Sequence, residues 1–383
     1  MYKIGIDARL YSQTGVGIYL RNLLYFLEKI AKKGIFFYIY LLPEDYDKVK
    51  FKSKYFLKKL TNSRWHSFSE QINFASILYK DDLDLVHFTY FSYPVLYRKK
   101  FISTIHDVTP IFYKTGRAST KNQILYEVKY RAFKFVMSQQ VKNAQIIITP
   151  SHFVKKQLVE IYGQSYASRI QPIYEGVDFE LIETVNRHPE LVSGSKFRFR
   201  NKFGMTKTPF FIYVGNFYPH KNLELLIQAF AKVKGNTNLI LIGPDDFFSN
   251  RLIQLIKQLN QSKRIIFFHN PKRSDMVFFY KNALALIHPS LSEGFGLPLV
   301  EAAYFNLPII AANIEVFKEL LNNKYISFNP LSVKDIAEKI IFFLKQKTKV
   351  EYGNLLNKFS FEKMVIETYK LYQQALVKPK EDR

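Results

Sequence analysis

Short, nearly unbroken apolar runs alternate along the chain with longer segments whose apolar residues recur every third or fourth position. IGIDARL leads into a helical spacing from Ile18 to Ala31 and then IFFYIYLL; LDLVHF, FISTIH and AQIIITP follow, each succeeded by a loop or a helical stretch. Runs that are apolar throughout, rather than alternating, mark parallel strands covered on both faces. The pattern predicts an α/β fold. SHFVKKQLVEIYG is a well-bounded helix, with Ser151 a fitting N-cap and Gly163 a stop.

The pattern breaks between Gly176 and Thr208, where charged and small residues dominate, including RHPELVSGS from Arg187 to Ser195. It then restarts: FFIYVG, a helix from Asn222, NLILIG, a helix from Asn250, RIIFF, a helix near Ser274, ALALIH, a helix after Gly296, LPIIAA, YISF and a helix from Val333. The chain thus divides into an N-terminal domain over 1–178, a linker with an insertion over 179–208, and a second α/β domain over 209–359. The segment SFEKMVIETYKLYQQAL supplies a last helix, about 360–377, and the tail PKEDR is expected to be disordered. A chain of 383 residues is too long for one typical domain and suits two.

Composition narrows the function only in part. No run approaches the ~18 apolar residues of a membrane span. The N-terminus enters a strand at once, without a signal peptide, and cysteine is absent, which excludes disulfides and thiolate zinc sites. Both fit a cytoplasmic protein. The net charge of +24 and pI of about 9.7 suit an anionic partner such as a nucleotide, a nucleic acid or an anionic lipid surface. The same Lys, Asn, Ile, Phe and Tyr richness also follows from AT-rich coding, so charge alone does not choose.

Ligands of open α/β sheets sit beyond the carboxyl ends of strands, which selects four loops. TGVG, containing Gly15, Val16 and Gly17, follows the first strand; His106-Asp107 follows FISTI; VGNFYPHKN, with Asn216, His220 and Lys221, follows the first strand of the second half; and PSLSEGFGLPLVE follows ALALIH. In the last, Gly294 and Gly296 stand at the turn and Leu297 opens a helix, so amides near Phe295 and Gly296 can cradle a diphosphate. Glu293 and Glu301 bracket the turn, and carboxylates accept paired hydrogen bonds from the hydroxyls of a ribose or hexose. Lys221, just before a helix, suits a diphosphate as a point charge. Taken singly, each has a plain alternative: an ordinary βα loop, a capped histidine, a solvated lysine. Asp81-Asp82 and Asp245-Asp246 mark loops rather than a metal site.

EGFGLPLVE resembles the E-x7-E signature of the retaining GT-B glycosyltransferases of glycosyltransferase family 4. IGIDARLYSQTGVGIYLRNLL, STIHDVTP, TPSHFVKKQL, IYEGVD, YVGNFYPHKN and LIHPSLSEGFGLPLVEA occur in that family's order and span nearly the whole chain. The best-matching subgroup builds O-antigen and similar glycans and is often mannose-transferring. The resemblance implies GT-B architecture, two Rossmann-like domains facing across a cleft, with the last helix returning to the N-terminal domain. It implies transfer of a hexosyl group, with mannose the subgroup's sugar, from a GDP- or UDP-linked donor to a glycan or lipid-linked saccharide. Configuration is retained, and no metal or separate cofactor is implied. By this resemblance Glu301 holds the donor ribose, and Glu293 lies near the transferred sugar's hydroxyls. Gly294, Phe295, Gly296 and Leu297 line the diphosphate, and Lys221 neutralises the leaving diphosphate. His106 contacts the donor sugar, and Gly15, Val16 and Gly17 lie near phosphate and acceptor. Many members carry arginine where this chain has Asn216, and His220 or a nearby basic residue is expected to compensate. RHPELVSGS resembles a translated repetitive element inserted into the linker.

KVKFKSKYFLKK carries six lysines, Lys48, Lys50, Lys52, Lys54, Lys58 and Lys59. Read as a helix, it sets Phe51 and Tyr55 on one face, a surface suited either to solvent or to an anionic membrane. That makes peripheral attachment at the inner membrane face an expectation for a cytoplasmic enzyme. Three rival readings remain at this point, one of them a degenerate, non-catalytic relative of the family, given Asn216. A GT-B epimerase or hydrolase would release free sugar from a nucleotide-sugar. A non-catalytic, basic nucleic-acid-binding protein would need a recognition motif, and the sequence shows no helix-turn-helix, RNP-like or zinc motif.

Overall fold

The structure, a computed structural model, describes residues 1–113, 123–187, 208–346 and 350–377. The chain forms two compact units, Met1–Glu175 with Ser360–Arg383, and Gly176–Phe359. The first holds β1 (Tyr2–Asp7), β2 (Ile35–Leu41), β3 (Phe56–Leu60), β4 (Leu85–Phe88), β5 (Phe101–Thr104), β6 (Ile146–Thr149) and β7 (Ile170–Pro172). They make a parallel seven-stranded sheet in the order β3-β2-β1-β4-β5-β6-β7. The second holds β8 (Phe210–Val214), β9 (Asn238–Gly243), β10 (Ile265–His269), β11 (Leu286–His288), β12 (Ile309–Ala312) and β13 (Ile326–Phe328). Their order is β10-β9-β8-β11-β12-β13, again parallel. Each sheet therefore reverses its winding once, between β1 and β4 and between β8 and β11. Loops leaving the carboxyl ends of those strands flank a crevice, the place where such sheets bind ligands.

The strands are buried as their apolar runs require: Ile4, Ile6, Phe37, Ile39, Phe211, Ile212, Leu239 and Leu241 are fully covered. Burying such a side chain stabilises the fold by about 1.5–3 kcal/mol. Ser151 caps the helix His152–Tyr162 by accepting the Val154 amide at 3.2 Å, and Gly163 ends it. The helix expected from Asn250 starts earlier, at Phe247, because Asp246 accepts the Phe248 and Ser249 amides at 2.9 and 3.0 Å and Ser249 Oγ accepts the Asp246 amide in return. Asp81 takes the Tyr40 hydroxyl at 2.7 Å and Lys59 at 2.6 Å, so both acidic pairs do sit in loops and caps.

Two expectations are corrected. Residues 179–187, assigned to the linker, form the helix Phe179–Arg187, which packs on the helix Arg273–Asn282 inside the second unit. Arg273 anchors it, binding Asp178 at 2.8 Å and Glu180 at 2.7 Å. The rest of the RHPELVSGS insertion and the PKEDR tail lie outside the described residues.

The lysine-rich segment is not a helix either. Phe56–Leu60 is the edge strand β3, paired with β2 from Phe37↔Phe56 to Leu41↔Leu60. Phe56 stacks on Phe37 at 4.9 Å, and cross-strand aromatic packing of this kind outweighs a helical period. Lys58 donates to the Tyr46 carbonyl at 2.5 Å and Lys59 pairs with Asp81 at 2.6 Å. Charged side chains along an edge strand discourage pairing with another chain.

The last helix, Phe361–Val377, belongs to the first unit. It packs on the helix Val16–Ile30 and on β4 and β5 through Met364, Val365, Thr368, Tyr372 and Ala375. The Tyr372 hydroxyl meets His87 Nδ1 at 2.7 Å; His87 Nε2 meets Thr104 Oγ1 at 2.7 Å, which in turn meets the Tyr19 hydroxyl at 3.1 Å. Burial, and secondarily the charge of His106, pushes the His87 pKa down to about 3, so its ring is neutral and needs one donor and one acceptor. Replacing Tyr372 with phenylalanine leaves His87 Nδ1 unpaired in the core. We expect a loss of about 1–3 kcal/mol in urea denaturation; an unchanged midpoint would show that the bond contributes nothing.

Candidate active site

The second unit brings three strand-end loops together. Asn222 adopts a left-handed backbone, φ 60, and its side-chain amide donates to the carbonyls of Pro289 at 3.2 Å and Pro330 at 2.7 Å. It thereby ties the loop after β8 to those after β11 and β13. The Leu291 amide donates to the His220 carbonyl at 2.8 Å, a second tie between the first two.

Within this frame Lys221 and Glu293 meet. Lys221 Nζ lies 2.7 Å from Glu293 Oε1, and Ser290 Oγ at 2.8 Å and His288 Nε2 at 3.0 Å address the same oxygen. The His288 bond makes Nε2 the protonated nitrogen. Its ring is buried and stacked on Tyr213, 5.6 Å between centroids. Burial alone would raise the Glu293 pKa, but the Lys221 charge and the His288 hydrogen bond outweigh it and hold the carboxyl well below its ordinary range. Glu293 is therefore ionised, with one oxygen pinned by three donors.

Gly296 precedes the helix Leu297–Tyr304 with φ 113, a conformation an L side chain resists. Phe295 is buried against Phe359, 5.8 Å between rings, which fixes the turn. Glu301 lies further along that helix, buried, and accepts the Tyr280 hydroxyl at 2.6 Å. Burial raises its pKa to about 7; Tyr280 and Arg273 lower it and Asp178 adds to the rise. The two glutamates have separate settings, a saturated ion pair for Glu293 and a tyrosine-capped, easily protonated carboxyl for Glu301.

His220 is buried, and burial together with Lys221 pushes its pKa down to about 4. It is neutral near pH 7, so it does not supply the charge absent at Asn216, whose carbonyl accepts the Tyr213 hydroxyl at 2.5 Å.

In the first unit, Gly15 and Val16 open the helix Val16–Ile30, and a Cβ on Gly17 would stand 2.7 Å from the Tyr11 carbonyl, so only glycine fits. His106 lies beyond β5 between Glu175 and the Thr89 carbonyl, each at 3.0 Å. Residue-by-residue reading missed His288, Ser290, Tyr280, Asn222 and Glu175 as partners of the site. His288 is the last residue of β11 and Ser290 stands just beyond it, so strand-end position was the signal for both; Tyr280 comes from a neighbouring helix and leaves no sequence signal.

Two family models cover most of the chain: Glycosyltransferase Family 4 over residues 14–181 and Glycosyl transferases group 1 over residues 195–359. The protein is a glycosyltransferase, with a family 4 domain followed by a group 1 domain. The O-antigen chain mannosyltransferase RfbU of Salmonella typhimurium is 26% identical over 78% of this chain and 76% of its own. O-antigen chain mannosyltransferase B of Escherichia coli is 22% identical over 71% and 70%. Among solved structures, sucrose-phosphate synthase of Thermosynechococcus elongatus superposes with a TM-score of 0.75, 18% identity and coverage of 98% and 99%. An Anabaena protein in complex with UDP and glucose gives a TM-score of 0.73 at 16% identity, covering 98% and 100%. The glycosyltransferase thus shares its fold with them. These matches decide among the readings the sequence left open: the transferase stands, and the epimerase or hydrolase and the nucleic-acid-binding protein find no support. No described helix of the glycosyltransferase is long and apolar enough to cross a membrane.

Proposed function

We propose that this glycosyltransferase moves a mannosyl group, with retention of configuration and without a metal, from a GDP- or UDP-linked donor to a growing glycan or lipid-linked saccharide. The sugar is argued from the two O-antigen mannosyltransferases that match most of the chain. The observation that carries the reading is the meeting of Lys221, Glu293 and the Gly296 turn at the winding reversal between β8 and β11. As the nucleoside diphosphate leaves, charge grows on its oxygens. Lys221 and the first amides of the helix Leu297–Tyr304 are the groups suited to receive it. Glu293, with Oε1 already saturated, has Oε2 to accept hydroxyls of the sugar. That role fits a carboxylate that reads hydroxyls better than one that attacks carbon. Glu301 is suited to the two ribose hydroxyls.

A lipid-linked acceptor would bring the protein to the inner face of a membrane. The exposed residues Ile124, Val128 and Phe135, which recur along the helix Gln123–Asn143 near Arg131 and Lys134, support that better than the lysines of 48–59 do.

Thermal-shift screening against GDP, UDP, ADP and their sugars tests the reading. A ligand at a hundred times its Kd stabilises the native state by about 2.7 kcal/mol. One nucleotide class should raise the melting temperature, GDP first. No shift with any of them overturns the proposal.

A further inference from the structure

The imidazole of His106 is engaged at both nitrogens. Nε2 faces the Thr89 carbonyl oxygen at 3.0 Å and Nδ1 faces Glu175 Oε1 at 3.0 Å. Tyr19 closes edge-on against the ring, 4.7 Å between centroids at 77°. The side chains of His106 and Glu175 are only 11% and 6% exposed. A carbonyl oxygen can only accept, so Nε2 carries a hydrogen. Neutral imidazole has one N–H, and this bond uses it. The contact with Glu175 then needs one further proton, either on Nδ1, facing a carboxylate, or on Glu175, donating to Nδ1. Both forms are neutral as a pair.

We propose that Glu175 is the positioning residue of His106, fixing the ring through a shared proton so that neither nitrogen is left as a free base. The elements packed on the ring supply Tyr19 from the helix Val16–Ile30, Thr89 from beyond β4, and Glu175 from beyond β7. The nearby His87 is committed to Tyr372 and Thr104. Glu175 is thus the acidic partner of the ring. It is suited to the place because it leaves β7 at the carboxyl end, on the strand two removed from β5. One consequence rests on the transferase reading. A carbon that becomes positive as the diphosphate leaves is disfavoured beside a bare imidazolium, and Glu175 cancels that charge. His106 and Glu175 then serve as a neutral, oriented pair, and His106 not as a general base.

The test uses the full chain with 15N-labelled histidine and long-range 1H–15N correlation of the rings, His106 being identified by the signals lost in His106→Asn. Wild type should show His106 in one fixed state with Nε2 protonated and in slow exchange with water. Glu175→Ala should keep the Nε2–H bond to Thr89 but leave Nδ1 a bare base, its 15N signal moving to that of an unprotonated, unpaired ring nitrogen and the ring exchanging faster with water. Glu175→Gln, which preserves the shape and can donate to Nδ1, should restore a hydrogen-bonded Nδ1 and slow exchange. In donor turnover, Glu175→Ala should lose about tenfold to a hundredfold in kcat with little change in KM, the mark of misplacement rather than lost binding. Glu175→Gln should recover most of that loss. His106 signals that are the same in Glu175→Ala as in wild type overturn the proposal. Because that measurement needs no donor, it also separates failure here from failure of the transferase reading, which would appear as absence of any nucleotide binding.

Discussion

Lys221→Ala should lower sugar transfer by roughly 10²–10³-fold, the usual loss when one preorganised charge is removed from a developing anion. The expectation follows from how few charges the site has to spare. Arg273 is committed to Asp178 and Glu180, His220 is neutral, and position 216 is asparagine. Lys221 is held on Glu293 at 2.7 Å with its side chain 15% exposed, so it is aimed before any ligand arrives. Loss of the lysine also strips Glu293 of its main counter-charge. The folded-state pKa of Glu293 lies below its ordinary 4.5, so the pair adds stability above that value and loses it as pH falls through the lower folded value. Lys221→Ala should therefore bring acid unfolding to higher pH as well as slow transfer. Arginine should rescue stability better than rate, because a planar guanidinium does not replace a point charge. Transfer at the wild-type rate in Lys221→Ala would remove the lysine from the mechanism.

Nucleotide affinity should weaken as pH falls below about 7, because Glu301 takes up a proton there. The sign follows from the hydroxyls it is proposed to hold: a carboxylate accepts two, and a protonated carboxyl offers a donor where an acceptor is needed. Binding then expels the proton, and Kd should rise up to tenfold per pH unit between about pH 7 and pH 5. Without ligand the sign is the opposite for stability. The raised pKa of Glu301 makes its contribution greatest below the ordinary 4.5, and it is lost as pH rises through about 7. The diphosphate itself titrates in this range, so the informative quantity is the difference from Glu301→Gln, which cannot titrate. Calorimetry across the pH range should give a flatter profile for Glu301→Gln. Parallel profiles would show that Glu301 is not the ribose acceptor.

The pattern of apolar runs located the strands because parallel strands buried on both faces leave a local mark. Ser151 and Gly163 bounded their helix for the same reason: caps act over three or four residues. Local reasoning failed where packing from a distance overrode it. KVKFKSKYFLKK has a workable helical face, yet Phe37 on β2 and Asp81 at the end of the helix Ala75–Lys80 hold its last residues, from Phe56, in an edge strand. The segment after Asp178 looked like linker because its composition is polar, but Arg273, far along the chain, supplies the charge that makes it a helix of the second unit.

By itself the sequence determined that the protein is α/β, that its second half carries a glycine turn between two glutamates, and which strand ends hold polar groups. These are properties of adjacent residues, and the chain cannot fold without keeping them. Only the tertiary structure decided what each group is bonded to. Lys221 and Glu293 are 72 positions apart and Tyr280 and Glu301 are 21 apart. His106 and Glu175 are separated by 69. Those pairings set which carboxyl is ionised, which titrates near neutrality and which histidine is oriented. They depend on sheet order, and sheet order is fixed by long-range packing that leaves no periodic trace along the chain.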